Sequence, residues 1–104
     1  KKKEIITKID SLKITVRPLN QKDINIRNLP KGITGVVITQ IDPDSPVRDL
    51  EINDIIAEAQ KRKIKNIKQL NDIVEKVISK GENNLLLVIY NNLNQRRYKG
   101  IKLK

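Results

Sequence analysis

Residues 41–56 read Ile-Asp-Pro-Asp-Ser-Pro-Val-Arg-Asp-Leu-Glu-Ile-Asn-Asp-Ile-Ile, a corner that joins two apolar runs without using glycine. Before it, Gly35-Val36-Val37-Ile38-Thr39-Gln40-Ile41 is β-branched and nearly continuous, the pattern of a buried strand. After it, Asp54-Ile55-Ile56-Ala57-Glu58-Ala59 opens a second strand. Between the two, Asp42-Pro43-Asp44 makes a turn. Ser45-Pro46 then sets an N-cap before a proline at the first helical position, so a one-turn helix is expected to about Arg48 or Asp49. The chain must therefore turn sharply between two core strands, which limits it to folds with such a corner.

The rest of the chain supplies the partners these strands need. Asn66 is placed to cap a helix, with Gln69 at the capping-box position. Ile67, Leu70, Ile73, Val74, Val77 and Ile78 recur on one helical face, and Gly81 ends the run. Leu85 to Tyr90 reads as a core strand and Arg96 to Leu103 as an alternating return strand, with Asn91 to Gln95 as the hairpin loop. Toward the start, Lys13 to Arg17 alternates as a half-buried strand does and Pro18 ends it. Asn20 is expected to cap a short helix through Asp23 and Ile24, closed by Leu29-Pro30. Lys3 to Ile9 is a short β-rich entry segment, and Lys61-Arg62-Lys63 turns the chain. Together these predict an α+β domain on a partly open barrel or sandwich of about five or six strands, with one long helix and one or two short ones.

At 104 residues the chain has the length of a single domain, spanning 1–104, with 1–8 read as an entry segment or linker from an upstream domain. It begins with lysine and contains no methionine, so a piece of a longer protein is expected. No run approaches the roughly 18 apolar residues of a membrane span, so the piece reads as soluble. With no cysteine there are no disulfides, which leaves the compartment open.

Catalytic chemistry finds little to work with. Histidine and cysteine are both absent, which excludes a Ser-His-Asp or Cys-His arrangement and any thiolate or imidazole zinc site within this piece. Ser45 reads as a cap, and Ser11, Ser45 and Ser79 all lie outside a nucleophile elbow. Asp42 and Asp44 flank a proline, but no central glycine and terminal glutamate follow at calcium-loop spacing, so they read as turn formers. No glycine-rich phosphate loop is present. The chain is expected to be non-catalytic and to use no cofactor or metal.

The formal charge of +10 admits nucleic acid, an anionic membrane surface or an acidic partner. The basic residues are scattered, however, and only Tyr90 and Tyr98 are available as stacking platforms. That argues against nucleic acid and leaves a membrane surface as a partner class without a clustered patch to support it.

Taken in order, Gly35 to Ile56, the polar turn after it and Asn66-Ile67-Lys68-Gln69-Leu70 resemble a PDZ domain. More narrowly, they are similar to the PDZ domains of the HtrA/Deg (Do-like) serine proteases of bacteria. In that family the run reads roughly G-V-V-V-x-x-V-x-P-x-S-P-A-x-x-A-G-L-x-x-G-D-V-I. Leu12-Lys13-Ile14-Thr15-Val16-Arg17-Pro18-Leu19 likewise resembles the entry L-G-hydrophobic-x-V-x-x-L, most closely that of the second, C-terminal PDZ module. The resemblance covers about residues 9 to 104. Two family glycines are replaced, by Asp49 and Asn53, residue types that tolerate left-handed or turn backbone. A third, in the entry motif, is Lys13.

The resemblance implies a module that binds extended or C-terminal peptides by strand addition, with the terminal carboxylate in a nest of backbone amides. Mapped residue by residue, Ser11, Leu12, Lys13 and Ile14 would form the carboxylate loop, and Ile14, Thr15, Val16 and Arg17 the groove edge. Ile67, Asn71 and Val74 would line the opposite helical wall, while Leu70, Ile73 and Val77 face the core. Apolar residues at helical spacing pack into cores more often than they line pockets, so Val74 is open to both readings. Asn71 either hydrogen-bonds a ligand or is solvated. Lys13 either assists carboxylate capture, with Arg17 nearby, or blocks the loop and leaves the groove vestigial. The implied partners are unfolded or C-terminal peptides and other subunits or domains of a parent protease in the bacterial periplasm or cell envelope. The alternatives are a module that mainly holds the protease oligomer together or regulates it, and the PDZ of another envelope protease, such as an intramembrane metalloprotease.

Overall fold

The apolar runs and alternating segments assemble into one antiparallel sheet in the computed structural model, which describes residues 6–47 and 49–103. Its elements in chain order are β1 (Thr7–Ile9), β2 (Ile14–Pro18), α1 (Gln21–Arg27), β3 (Val36–Ile41), β4 (Ile55–Ala59), β5 (Arg62–Lys63), α2 (Ile67–Ser79), β6 (Asn84–Tyr90) and β7 (Arg96–Lys102). The sheet runs β1-β2-β3-β4-β6-β7, with β5 paired to β4, and it does not close. The described residues thus form an α+β domain with two helices and a seven-stranded sheet, more strands than the sequence suggested.

The nearly continuous apolar run of β3 follows from burial on both faces of the sheet. Val36 and Ile38 point into the main core with Ile56, Leu70, Val74, Val77, Leu85, Leu87 and Ile89, beneath α2. Val37 and Ile55, one residue out of phase, join Leu29 in a second cluster packed by Ile24 of α1 and Tyr90. β4 sits at the centre, with Val36 and Val37 on one side and Ile89 and Tyr90 on the other.

Local signals account for both helices. Asn20 caps α1 by accepting from the Asp23 amide, and the Asp23 carboxylate accepts from the Asn20 amide in return, a full capping box. At α2, Asn66 accepts from the Gln69 amide at 2.8 Å, but the Gln69 side chain accepts from Lys65 instead of closing the box. Leu70, Val74 and Val77 form the buried stripe, Ile67 and Ile73 flank it, and Ile78 is 43% exposed, outside the apolar face expected of it. Gly81, at φ +74°, follows the helix end.

The corner contains no helix among its described residues; 43–47 and 49–50 form successive turns, and Arg48 lies outside the described residues. Ser45 nonetheless bonds as a cap does. Its hydroxyl accepts from the Val47 amide, closing a local turn, and donates to the Leu12 carbonyl at 2.6 Å. That second bond ties the corner to the turn between β1 and β2. Asn53 adopts φ +79°, the left-handed backbone expected there, and its amide donates to the Ile38 carbonyl. The matching expectation at Asp49 depends on the Arg48–Asp49 peptide, outside the described residues.

Candidate functional site

The residues expected to line a groove fall into three places. Ser11, Leu12 and Lys13 occupy the β1–β2 turn, Ile14, Thr15, Val16 and Arg17 lie in β2, and Ile67, Asn71 and Val74 lie on α2.

β2 is not an open edge. Thr7, Lys8 and Ile9 pair antiparallel with Val16, Thr15 and Ile14, so β1 is the outermost strand beside α2. The turn is closed on the same segment, because the amides of Leu12 and Lys13 both donate to the Ile9 carbonyl, at 3.1 and 2.7 Å. Its carbonyls are held from behind: Leu12 accepts from the Ser45 hydroxyl, and Lys13 accepts from the Asp42 amide. The turn is therefore a preorganised pair of donors aimed at one acceptor, and that acceptor belongs to the chain itself. The Ser11 hydroxyl is buried without a hydrogen-bond partner among the described residues.

Lys13 meets the glycine position's demand with φ +54°, left-handed despite its side chain. The ammonium reaches out to Asp44 at 2.8 Å. This bond raises the Lys13 pKa and lowers that of Asp44, in each case chiefly through the shared hydrogen bond. Arg17 is similarly committed. Its Nη1 and Nη2 reach the two oxygens of Asp23 at 2.7 and 2.8 Å, and this fork holds the Asp23 carboxyl below its ordinary range against the opposing effect of burial.

The wall opposite β1 is α2. Between them lies a cavity of about 600 Å³ lined by Thr7, Lys8, Ile9, Pro18, Ile67 and Asn71, with Lys68 and Glu75 at its polar side. Of the expected site residues, Ile67 and Asn71 reach this cavity, and Val74 is wholly buried in the core with Ile9, Leu12, Ile14 and Val16. Ser11 and Lys13 instead border a separate cavity of about 490 Å³ with Asp44, Ser45 and Lys102. Thr7, Lys8 and Ile9 went unrecognised as part of the site. This β-rich segment and the strand at Lys13 to Arg17 were both readable, but the pairing of the two was not.

Elsewhere Asp54 is the most constrained acid. Burial pushes its pKa up, and one carboxylate oxygen accepts from the Glu51 amide while the other has no partner among the described residues. It lies in the corner, where it joins no other acid in a metal-binding group, and no such group occurs among the described residues. No helix is long and apolar enough to cross a membrane among the described residues. The chain matches no protein-family model, and no curated protein shows significant similarity to it.

Proposed function

We propose that this chain is a non-catalytic protein-interaction domain of the PDZ type, from an HtrA/Deg-like envelope serine protease. It takes an extended peptide with a free, aliphatic C-terminus as an added strand beside α2. The observation that carries this reading is the cleft itself: a sheet edge facing a helix across a cavity of about 600 Å³, with apolar Ile67 and Pro18 and polar Asn71 on its walls. Main-chain pairing would give affinity there, and the wall residues would select side chains. The +10 charge serves in this reading as a solvated surface.

The test is an amide chemical-shift titration with peptides ending in a free aliphatic residue. Shifts are expected at Ile67 to Val74 and on the sheet side of the cleft, at Thr7 to Ile9 or at Ile14 to Arg17, with weaker binding by amidated peptides. Failure of every such peptide to move these signals would remove the reading.

A second reading, in which the domain mainly holds protease subunits together or regulates them, is favoured by one observation: the turn amides of Leu12 and Lys13 are already engaged. It predicts that deleting the domain from its parent abolishes higher oligomers, while the isolated domain ignores peptides.

A further inference from the structure

β1 has the chemistry of an occupant more than of a framework strand. It shares three register pairs with β2, whereas β6 and β7 share seven, so its hold on the sheet is slight by comparison. Ile6, just before it, is 59% exposed and lies outside the core clusters. Lys8 contributes only an exposed ion pair to Asp42. What anchors the segment is Ile9, 1% exposed in the core beside Leu12, Ile14 and Val74, with its carbonyl held by two amides of the turn. An antiparallel strand that ends in a buried aliphatic residue, whose terminal carbonyl group sits in an amide nest, presents what a peptide's C-terminus would present. The donors are in turn braced by Ser45 and by the Asp42 amide, neither of which belongs to β1.

We propose that β1 is a displaceable self-ligand: Thr7–Ile9 and an incoming peptide compete for the same edge of β2, and the domain binds only when β1 lets go. This rests on the strand-addition reading above and adds its regulation. The apparent affinity is then the intrinsic affinity reduced by the fraction of molecules with β1 released. Anything that pulls on the chain before Thr7, or holds it down, would set the domain's affinity without touching the groove.

The chain has no cysteine, so a single engineered pair tests the proposal cleanly. Lys8 and Thr15 face each other in the ladder away from the core, and Lys8→Cys with Thr15→Cys would pin β1 to β2 when oxidised. The probe is the synthetic pentapeptide Ile-Ile-Thr-Lys-Ile with a free carboxylate, which has the sequence of residues 5–9. The oxidised protein is expected to bind it at least about tenfold more weakly than the reduced protein, reversibly on adding reductant. Ile9→Ala, which weakens the anchor, is expected to tighten binding by about threefold or more, the opposite of what loss of a merely structural residue would do. Equal affinity in the oxidised and reduced forms, with no gain in Ile9→Ala, overturns self-occupancy and leaves strand addition at the outer edge of β1. No response in any of these forms overturns the strand-addition reading itself.

Discussion

Asp23 offers the sharpest test of the forces that shape the β2 side of the cleft. Its carboxylate accepts from both Arg17 nitrogens and from the Asn20 amide, so one group closes an ion pair and caps α1. The two side chains are 18% and 15% exposed, which sets this pair apart from the other, more exposed bridges among the described residues. Asp23→Asn keeps the shape but faces an amide donor toward guanidinium donors. A charge-assisted bond in this setting contributes about 1.5–3 kcal/mol, and partial exposure argues for a loss near ~2 kcal/mol at neutral pH. For a domain of this size that corresponds to a fall of roughly 8–16 °C in melting temperature.

The pH dependence follows from the direction of the shift. The folded pKa of Asp23 lies below its ordinary value of 3.8, so as pH falls the unfolded state takes up this proton first. Stability from Asp23 is therefore complete above the unfolded value and is lost as pH falls through the lowered folded one. Asp54 has the opposite sign: its raised pKa gives stability at low pH that is lost as pH rises through the folded value. Urea unfolding of wild type and Asp23→Asn at pH 7 and near pH 2 separates the two. The penalty of Asp23→Asn should shrink from about 2 kcal/mol to under about 0.5 kcal/mol at the acid end. A penalty that is the same at both pH values would refute the ion-pair account of this corner.

Gly35 holds φ +152°, and a Cβ placed on it would lie 2.4 Å from the Ile56 carbonyl oxygen, a backbone atom that cannot rotate away. Gly35→Ala should therefore destabilise by about 3 kcal/mol in urea melts, and a loss below about 1 kcal/mol would show that β3 and β4 separate easily here. Lys13→Gly should do the reverse. Relief of a left-handed side-chain backbone is worth about 0.5–1 kcal/mol after the added entropy of glycine, and the gain should grow with salt as the exposed Asp44 pair is screened. A destabilised Lys13→Gly would mean that the Asp44 contact, and not the backbone, governs the turn.

Much of the fold was legible because its signals are local. The β-branched run at 36–41, the Asn66 cap with its apolar stripe and the hairpin from Leu85 onward each carry their pattern within a few residues, and each formed, although Gln69 does not close the capping box and Ile78 falls outside the buried stripe. The errors arose where distant residues decide. Ser45-Pro46 has the local chemistry of a helix start, and the hydroxyl does accept from the Val47 amide, but no helix follows among the described residues and the same hydroxyl bonds Leu12, 33 positions away in sequence. Lys61-Arg62-Lys63 was read as a plain turn. In fact Gln60 and Lys61 take φ +53° and +67°, the left-handed pair of a tight hairpin, and Arg62–Lys63 continue as β5. Glycine or asparagine would have announced that turn, and glutamine followed by lysine does not. Gln60 helps to hold it through bonds to both backbone groups of Leu86 on β6.

The same division explains the site. The resemblance laid on helical spacing assigns Asn71 and Ile67 to the cleft, and both line the cavity, whereas Val74 is buried in the core with Ile9, Leu12 and Ile14. The question posed by Lys13, whether a side chain at a glycine position helps or blocks the loop, rested on the premise that the loop was empty. Its side chain turns outward to Asp44, its backbone supplies the left-handed bend, and its amide is spent on Ile9. The Lys13 side chain lies outside the cleft between β1 and α2 and borders the separate cavity beside Asp44. In the self-ligand proposal the groove rests on three residues of β1: one buried isoleucine contributes about 1.5–3 kcal/mol, and ordering their backbone costs about 3–6 kcal/mol in all, with the ladder and turn hydrogen bonds supplying the difference. With no large surplus on either side, a modest pull on the chain before Thr7, or a competing peptide in excess, would under that proposal open the groove.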